Sequence, residues 1–194
     1  GERLQAPSVG DLALKVGLSV EAKGTVYDVA IVGAGPAGLA AAVYAASEGL
    51  STILLDRDGP GGQAGYSSRI ENYLGFPSGV SGADLARRAL TQARRIEVEV
   101  VSPLDVNGVR LDAPFKYLRV PGPDGSSREI ACKALVLTPG LAWQRLPAEC
   151  VEQFEGRGVY YGAATTEALN CRDQEVYVVG AGNSAGQAAI YLAG

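Results

Sequence analysis

The 194-residue sequence predicts an α/β fold: three layers with a central parallel sheet, an antiparallel β-meander, and a second unit of the same kind only begun. Three observations carry this. From Tyr27 to Asp56 the chain reads as strand, tight glycine turn, helix and strand. Val109–Val120 and Arg128–Cys132 look like antiparallel strands joined by the turn signal Pro121-Gly122-Pro123-Asp124-Gly125. Glu175–Ala189 then repeats the strand, glycine turn and helix.

Asp28–Val32 is too short for a helix and too apolar for a surface strand, so it fits a central parallel strand covered on both faces. Gly33, Gly35 and Gly38 form G-x-G-x-x-G where strand becomes helix. Gly33 permits the turn, Gly35 lets a pyrophosphate approach bare backbone, and Gly38 lets helix and strand pack closely. The Ala-rich helix from Pro36 to about Ser47 begins with proline in its first turn, and its N-terminal N–H groups face the phosphates. Ser51–Leu55 is the next strand and ends in Asp56, 18 residues beyond Gly38 (56 − 38). A carboxylate there accepts ribose hydroxyls and repels a 2′-phosphate. The motif alone is common in plain turns; its strand, helix and terminal acid make it a Rossmann-like dinucleotide site.

Residues 1–26 carry a short amphipathic helix over Val9–Val16, and read as either a linker or an arm packed on the core. Arg57-Asp58-Gly59-Pro60-Gly61-Gly62-Gln63-Ala64-Gly65 follows the acid. Four glycines in its last seven residues suit close approach of backbone to a ligand better than a plain loop. Ser81 is a candidate N-cap for a helix over Gly82–Arg95. Val98–Val101 reads as a strand, and Ala134–Leu137 as a buried strand ending in Thr138-Pro139-Gly140.

An internal repeat links the two glycine turns: Gly33 with Gly180 and Tyr44 with Tyr191, both at an offset of 147 (180 − 33 and 191 − 44). The second turn is Gly180-Ala181-Gly182-Asn183-Ser184-Ala185, with Ala185 in the third-glycine position. Two such sites have a chemical logic, since a nicotinamide delivers hydride to a tightly held flavin. Asp56 and the glycine-rich loop suit FAD; the second turn suits NAD(P)H.

Composition excludes several classes. No apolar run reaches membrane-spanning length, and no signal-peptide pattern is present. Net charge is −4 and the basic residues are scattered; Arg87, Arg88, Arg94 and Arg95 read as a solvated helix face, not a nucleic-acid patch. Cys132, Cys150 and Cys171 are widely spaced, which speaks for a reducing cytoplasm and against a disulfide scaffold or zinc site. The chain has no His, so no imidazole acid, base or proton shuttle is available, and no catalytic side chain is assigned. It has no Met either, and reads as a trimmed chain or a fragment.

Together, Gly33–Gly38, Gly61-Gly62-Gln63, Glu71-Asn72, Leu137-Thr138-Pro139-Gly140, Gly156-Arg157-Gly158-Val159 and Gly180–Ala185 make the chain resemble the low-molecular-weight thioredoxin reductase family of FAD- and NAD(P)-binding flavoproteins. The resemblance covers about residues 26–194 and divides the chain at residue 140. It implies an N-terminal FAD segment over 27–140, with the crossover and the start of an NAD(P) domain over 141–194. It also implies FAD contacts at Gly33, Gly35, Pro36, Ala37, Gly38, Asp56, Arg57, Gly61, Gly62, Gln63 and Asn72. Asp105-Val106 would meet the adenine, Thr138 and Gly140 would mark the crossover, and Gly180, Gly182, Ser184 and Ala185 would receive NAD(P)H. The family's homodimer habit, its redox-protein partners and its C-terminal return segment with a Gly-Asp pair come with the same resemblance. The return segment has no counterpart within these residues.

One departure matters. The family's redox C-x-x-C follows G-R-G-V closely, whereas here Gly162-Ala163-Ala164-Thr165 stands in that place. The chain therefore resembles the branch without the dithiol, an FAD-dependent oxidoreductase taking hydride from NAD(P)H. The alternatives are an electron-transfer reductase of the ferredoxin/flavodoxin type and a flavin-holding sensor that does not turn over.

Overall fold

The computed structural model describes residues 8–122, 125–141, 145–161, 168–169 and 171–193. The chain folds as two units, one comprising Gly1–Gly65 and Asp84–Gly140, the other Tyr66–Ala83 and Leu141–Gly194.

In the first unit, short runs of β-branched and aliphatic residues become strands β1 (Val26–Val32), β2 (Thr52–Leu55), β3 (Glu99–Val101), β4 (Gly108–Asp112), β5 (Phe115–Pro121) and β6 (Ser127–Leu137). They form one six-stranded sheet in the order β3-β2-β1-β6-β5-β4. Pairing is parallel from β3 to β6 and antiparallel from β6 to β4. The predicted parallel sheet and antiparallel meander are thus two halves of one sheet, and β6 joins them. Its first half pairs with β5, Ser127 opposite Pro121, and its second half pairs with β1, Leu137 opposite Val32.

Two expectations about strands change. Val109–Val120 is not one strand but the hairpin β4–β5, turning at Ala113-Pro114 with Asp112 opposite Phe115. The turn is hidden in the sequence because apolar residues continue on both sides of it, so periodicity shows no break. Conversely, Arg128–Cys132 and Ala134–Leu137 are one continuous strand, since Lys133 between them is merely an exposed position on β6.

Each face of the sheet carries its own core. On one, helix α2 (Pro36–Ser47) and helix α3 (Gly82–Arg95) cover Val29, Ile31, Leu54 and Val100, with Leu39, Ala42 and Ala93 supplied by the helices. On the other, Ile53, Leu55 and Val101 share a cluster with Leu118, Val120 and Ile130 from β5 and β6. A flat sheet would hold β3 and β5 four strand spacings apart, about 19 Å. One contiguous cluster spans them because Tyr27 and Ala30 on β1 and Cys132 on β6 fill the strands between. Ala30 and Ile31 are fully buried, so β1 is covered on both faces as expected, and Ile53, Leu54 and Leu55 show that β2 is covered in the same way.

Helix α1 (Val9–Lys15) begins with a capping box in which Ser8 Oγ accepts from Asp11 N and Asp11 Oδ2 accepts from Ser8 N. The following residues pack on the first unit: Leu18 against one core cluster and Ala22 against the other. Among the described residues no helix is long and apolar enough to cross a membrane.

At the amino ends of the central strands, Asp28 ties three segments together. Its Oδ1 accepts from Lys133 Nζ (2.7 Å) and its Oδ2 from Ser51 N (2.9 Å) and Ser51 Oγ (2.8 Å). The Lys133 ammonium, aided by Ser51, holds this carboxyl down at about 2. A depressed folded pKa stabilises above the ordinary carboxyl value of 3.8 and ceases to do so as pH falls through about 2. The stability gap between Asp28→Asn and the parent should therefore stay level from pH 7 to about pH 5 and narrow as denaturant unfolding is carried down through 3.8 toward about 2; a gap that stays constant over the lower range removes this assignment. In the same assay, Leu39→Ala, which empties a 1% exposed position between α2 and the sheet, should cost about 2–5 kcal/mol.

Candidate functional site

The carboxy ends of β1, β2 and β6 converge on the first glycine turn, in the crevice where parallel α/β sheets hold their ligands. Gly33 N donates to Leu55 O (2.8 Å) on one side, and Thr138 N donates to Val32 O (2.8 Å) on the other. Thr138 Oγ1 lies 2.9 Å from Val32 O and 2.8 Å from Gly33 O, so its single proton is shared between two turn carbonyls. The sequence placed Thr138 at the crossover; the structure makes it the clamp on the turn.

The three glycines differ in what they would meet. A Cβ on Gly33 would stand 2.1 Å from Thr138 O, and the residue has φ +101. One on Gly38 would stand 1.8 Å from Gly33 O and 2.7 Å from Thr138 Oγ1. Both positions are closed by the chain itself. Gly35 is different: φ −70 and ψ −177 suit any residue, and the nearest heavy atom to its Cβ would be Gly62 Cα at 4.0 Å. Among the described residues no atom crowds that position, and Gly35 serves as the N-cap of α2 without a side-chain cap bond. Pro36 and Ala37 then open α2, whose first turn contains no acidic residue.

The glycine-rich loop lies against this turn. Gly61 N donates to Ala34 O (2.8 Å), and a Cβ on Gly62 would come within 3.0 Å of Gly35 Cα. Gly61 and Gly62 have φ +119 and +53, so the loop needs glycine at both for its conformation and for the close approach. Gln63 follows as the exposed first residue of a 3-10 turn over Gln63–Tyr66.

Asp56 has a structural role that the ribose expectation did not include. Its Oδ2 accepts from Ala34 N (2.6 Å), and its Oδ1 accepts from Gly59 N (2.6 Å) and Asp58 N (3.0 Å). One carboxylate thus joins the glycine turn to the glycine-rich loop. Three of its roughly four acceptor positions are engaged, which leaves room for a ribose hydroxyl on one side only. Arg57 is exposed and pairs with the equally exposed Asp58 (3.3 Å). Neighbouring Asp58, Asp105 and Asp56 hold its guanidinium above its ordinary pKa. Val106 is half-buried against the core, and Gly140 takes φ +74 with open space around it.

Gly33, Gly35, Gly38, Asp56, Gly61, Gly62 and Thr138 are therefore brought together within the first unit. Asn72 belongs to the second unit, exposed in a loop closed by the Ile70–Val80 bridge. Sequence reasoning missed the Ala34 amide as Asp56's partner, because a backbone donor leaves no mark in residue type.

In the second unit, Gly180 has φ +147 and helix α4 (Asn183–Ala193) follows it. Ala185 N donates to Gly182 O (3.0 Å). Ala185 Cβ would be 3.3 Å from a Cβ on Gly180, so this turn is looser than the first. Gly180, Gly182, Ser184 and Ala185 line a cavity of about 1220 Å³ with Arg157 and Tyr160. The strand expected before it does not form: Glu175–Gly180 carries no ladder, and Tyr177 and Val179 are exposed. A parallel strand exists only through its neighbours, and no described residue pairs with this one.

Cys132 is buried on β6, where desolvation pushes its thiol pKa up, while Cys150 is exposed and Cys171 half-buried. Gly162-Ala163-Ala164-Thr165 lies outside the described residues. No group of three or more His, Cys, Asp or Glu is placed to bind a metal among the described residues.

The family described as "Pyridine nucleotide-disulphide oxidoreductase" matches residues 27–194. A thioredoxin reductase from Vibrio cholerae is 38% identical over 163 residues, 84% of this chain and 49% of that protein. One from Ureaplasma parvum is 35% identical over 168 residues, 87% of this chain and 52% of that protein. Among solved structures, Lactococcus lactis thioredoxin reductase in its FR conformation superposes with TM-score 0.76 at 31% identity, covering 86% of this chain and 52% of that one. The chain spans about half the length of the relatives it matches. With the glycine turn, the sheet order and the family match in agreement, the chain belongs to the pyridine nucleotide-disulphide oxidoreductase family.

Proposed function

We propose that this chain forms the FAD-holding part, and begins the NAD(P)H-holding part, of an oxidoreductase similar to thioredoxin reductase that works without a dithiol of its own. The observation that carries the reading is Gly35, a glycine required neither by its backbone angles nor by its neighbours. Bound FAD supplies a two-electron acceptor for hydride.

The chain's own residues bind and orient. Gly33, Gly35, Pro36, Ala37 and Gly38 present the turn and the start of α2 to the pyrophosphate. Asp56, with Arg57 beside it, receives the adenosine ribose, and Val106 flanks the adenine. Gly61, Gly62 and Gln63 orient the isoalloxazine, with Thr138 and Gly140 at the crossover. Gly180, Gly182, Ser184 and Ala185 take the nicotinamide cofactor in the second unit. These residues contain no His, and the contribution assigned to them is orientation of the cofactors.

No two cysteines stand closer than 18 residues (150 − 132), so the sequence contains no C-x-x-C. Without a dithiol among these residues, the flavin they hold has no disulfide of theirs to reduce. A one-electron carrier protein of the ferredoxin type is the second reading, favoured by the same missing dithiol. Anaerobic mixing of the FAD-loaded protein with NADH or NADPH should bleach the flavin absorbance within seconds. Reoxidation by a ferredoxin but not by thioredoxin selects the second reading, whereas a flavin that stays oxidised rejects the enzyme and leaves a non-catalytic sensor.

The glycines give a sharper check. Gly33→Ala and Gly38→Ala should lower the unfolding midpoint strongly, because each Cβ meets backbone below 3.0 Å. Gly35→Ala should stay within about 1 kcal/mol of the parent in stability yet lose FAD retention on gel filtration. Full retention of FAD by a folded Gly35→Ala protein would falsify the pyrophosphate assignment.

A further inference from the structure

Residues 17–25 precede the family match, which begins at residue 27, yet they are stitched into the first unit at several points. Ser19 pairs in parallel with Val101, and Ser102 N donates to Ser19 O (2.9 Å). Arg94 Nη2 donates to Gly17 O (2.8 Å). Glu99 accepts from Lys23 N (2.6 Å) at one carboxylate oxygen and from Tyr27 OH (2.8 Å) at the other, while Gly24 N donates to Tyr27 OH (2.8 Å). Strand β3, which this segment covers, has three residues and pairs with β2 alone on its other side. Such a short edge strand is weakly held by itself.

The carboxy end of β3, where Ser19 docks, is also the end that positions Asp56. Val101 O accepts from Asp56 N (3.1 Å), and Leu104 N donates to Asp56 O (2.8 Å). The Asp56 carboxylate in turn holds Ala34 N, Asp58 N and Gly59 N. An unbroken series of hydrogen bonds therefore runs from Ser19 through β3 and Asp56 to the glycine turn.

We propose that this arm is a working wall of the adenosine half of the cofactor site, and that its docking and the binding of adenine nucleotide are linked. Glu99 acts as a positioning residue, not a ligand contact. The inference rests on the cofactor reading above. If β3 must be in place for Asp56 to face the ribose, nucleotide binding tightens the arm, and loosening the arm weakens the nucleotide by the same factor.

ADP, which has the adenosine and pyrophosphate of FAD without the flavin, is the probe. In the unmodified protein, saturating ADP should slow hydrogen exchange of the Ser102 amide at least about tenfold. Glu99→Ala, checked for an intact thermal transition, should bind ADP about tenfold more weakly by calorimetry. Exchange at Ser102 that ADP leaves unchanged, or a folded Glu99→Ala protein with a released arm and parental ADP affinity, overturns the proposal while the cofactor reading stands. Failure of the parent to bind ADP removes both. Should Glu99→Ala not fold, exchange in the unmodified protein decides.

Discussion

Contact between bare backbones at Gly33, Gly38 and Thr138 is the constraint on which the first unit depends. Two glycines let α2 descend until the Gly33 carbonyl occupies the space where a Gly38 side chain would begin. The Thr138 hydroxyl then closes the turn from β6. With backbone packed on backbone and one short hydroxyl as the clamp, the turn has little freedom to shift, so its shape is set before any ligand arrives. Such preorganisation lets binding energy go into recognition instead of ordering the site.

Asp56 extends that rigidity outward. A carboxylate at the end of β2 would be free to swing if it had only solvent for a partner. Here it accepts three backbone N–H groups from two loops that are distant from each other in sequence. The same residue therefore shapes the pocket and presents the acceptor expected to meet a sugar. Charge-assisted bonds of this kind are short and roughly twice as strong as neutral ones.

The second unit shows the opposite condition. Its glycine turn and helix form locally, since Gly180 needs only its own conformational freedom and α4 only its own hydrogen bonds. The apolar run before it stays exposed and unpaired. Its cavity is broad and lined by both polar side chains, such as Arg157 and Gln187, and apolar ones, such as Val178 and Ile190. Local motif and completed fold are separable, and this chain contains both cases.

Much was legible in residue order alone. Period and composition located β1, α2, β2 and α3, because each has a single face or length compatible with its pattern. The motif glycines and the acid at the end of β2 were visible for the same reason: their chemistry is local. Only tertiary structure decided that Lys133 lies within one unbroken β6, and that Ala113-Pro114 turns a chain with no break in hydrophobicity. Packing alone also distinguished Gly35 from Gly33 and Gly38, and bound residues 17–25 to β3 through Glu99 and Ser102. Those features depend on which backbone atoms meet across distant parts of the chain, and residue type records side chains, not the company that a carbonyl or an amide keeps.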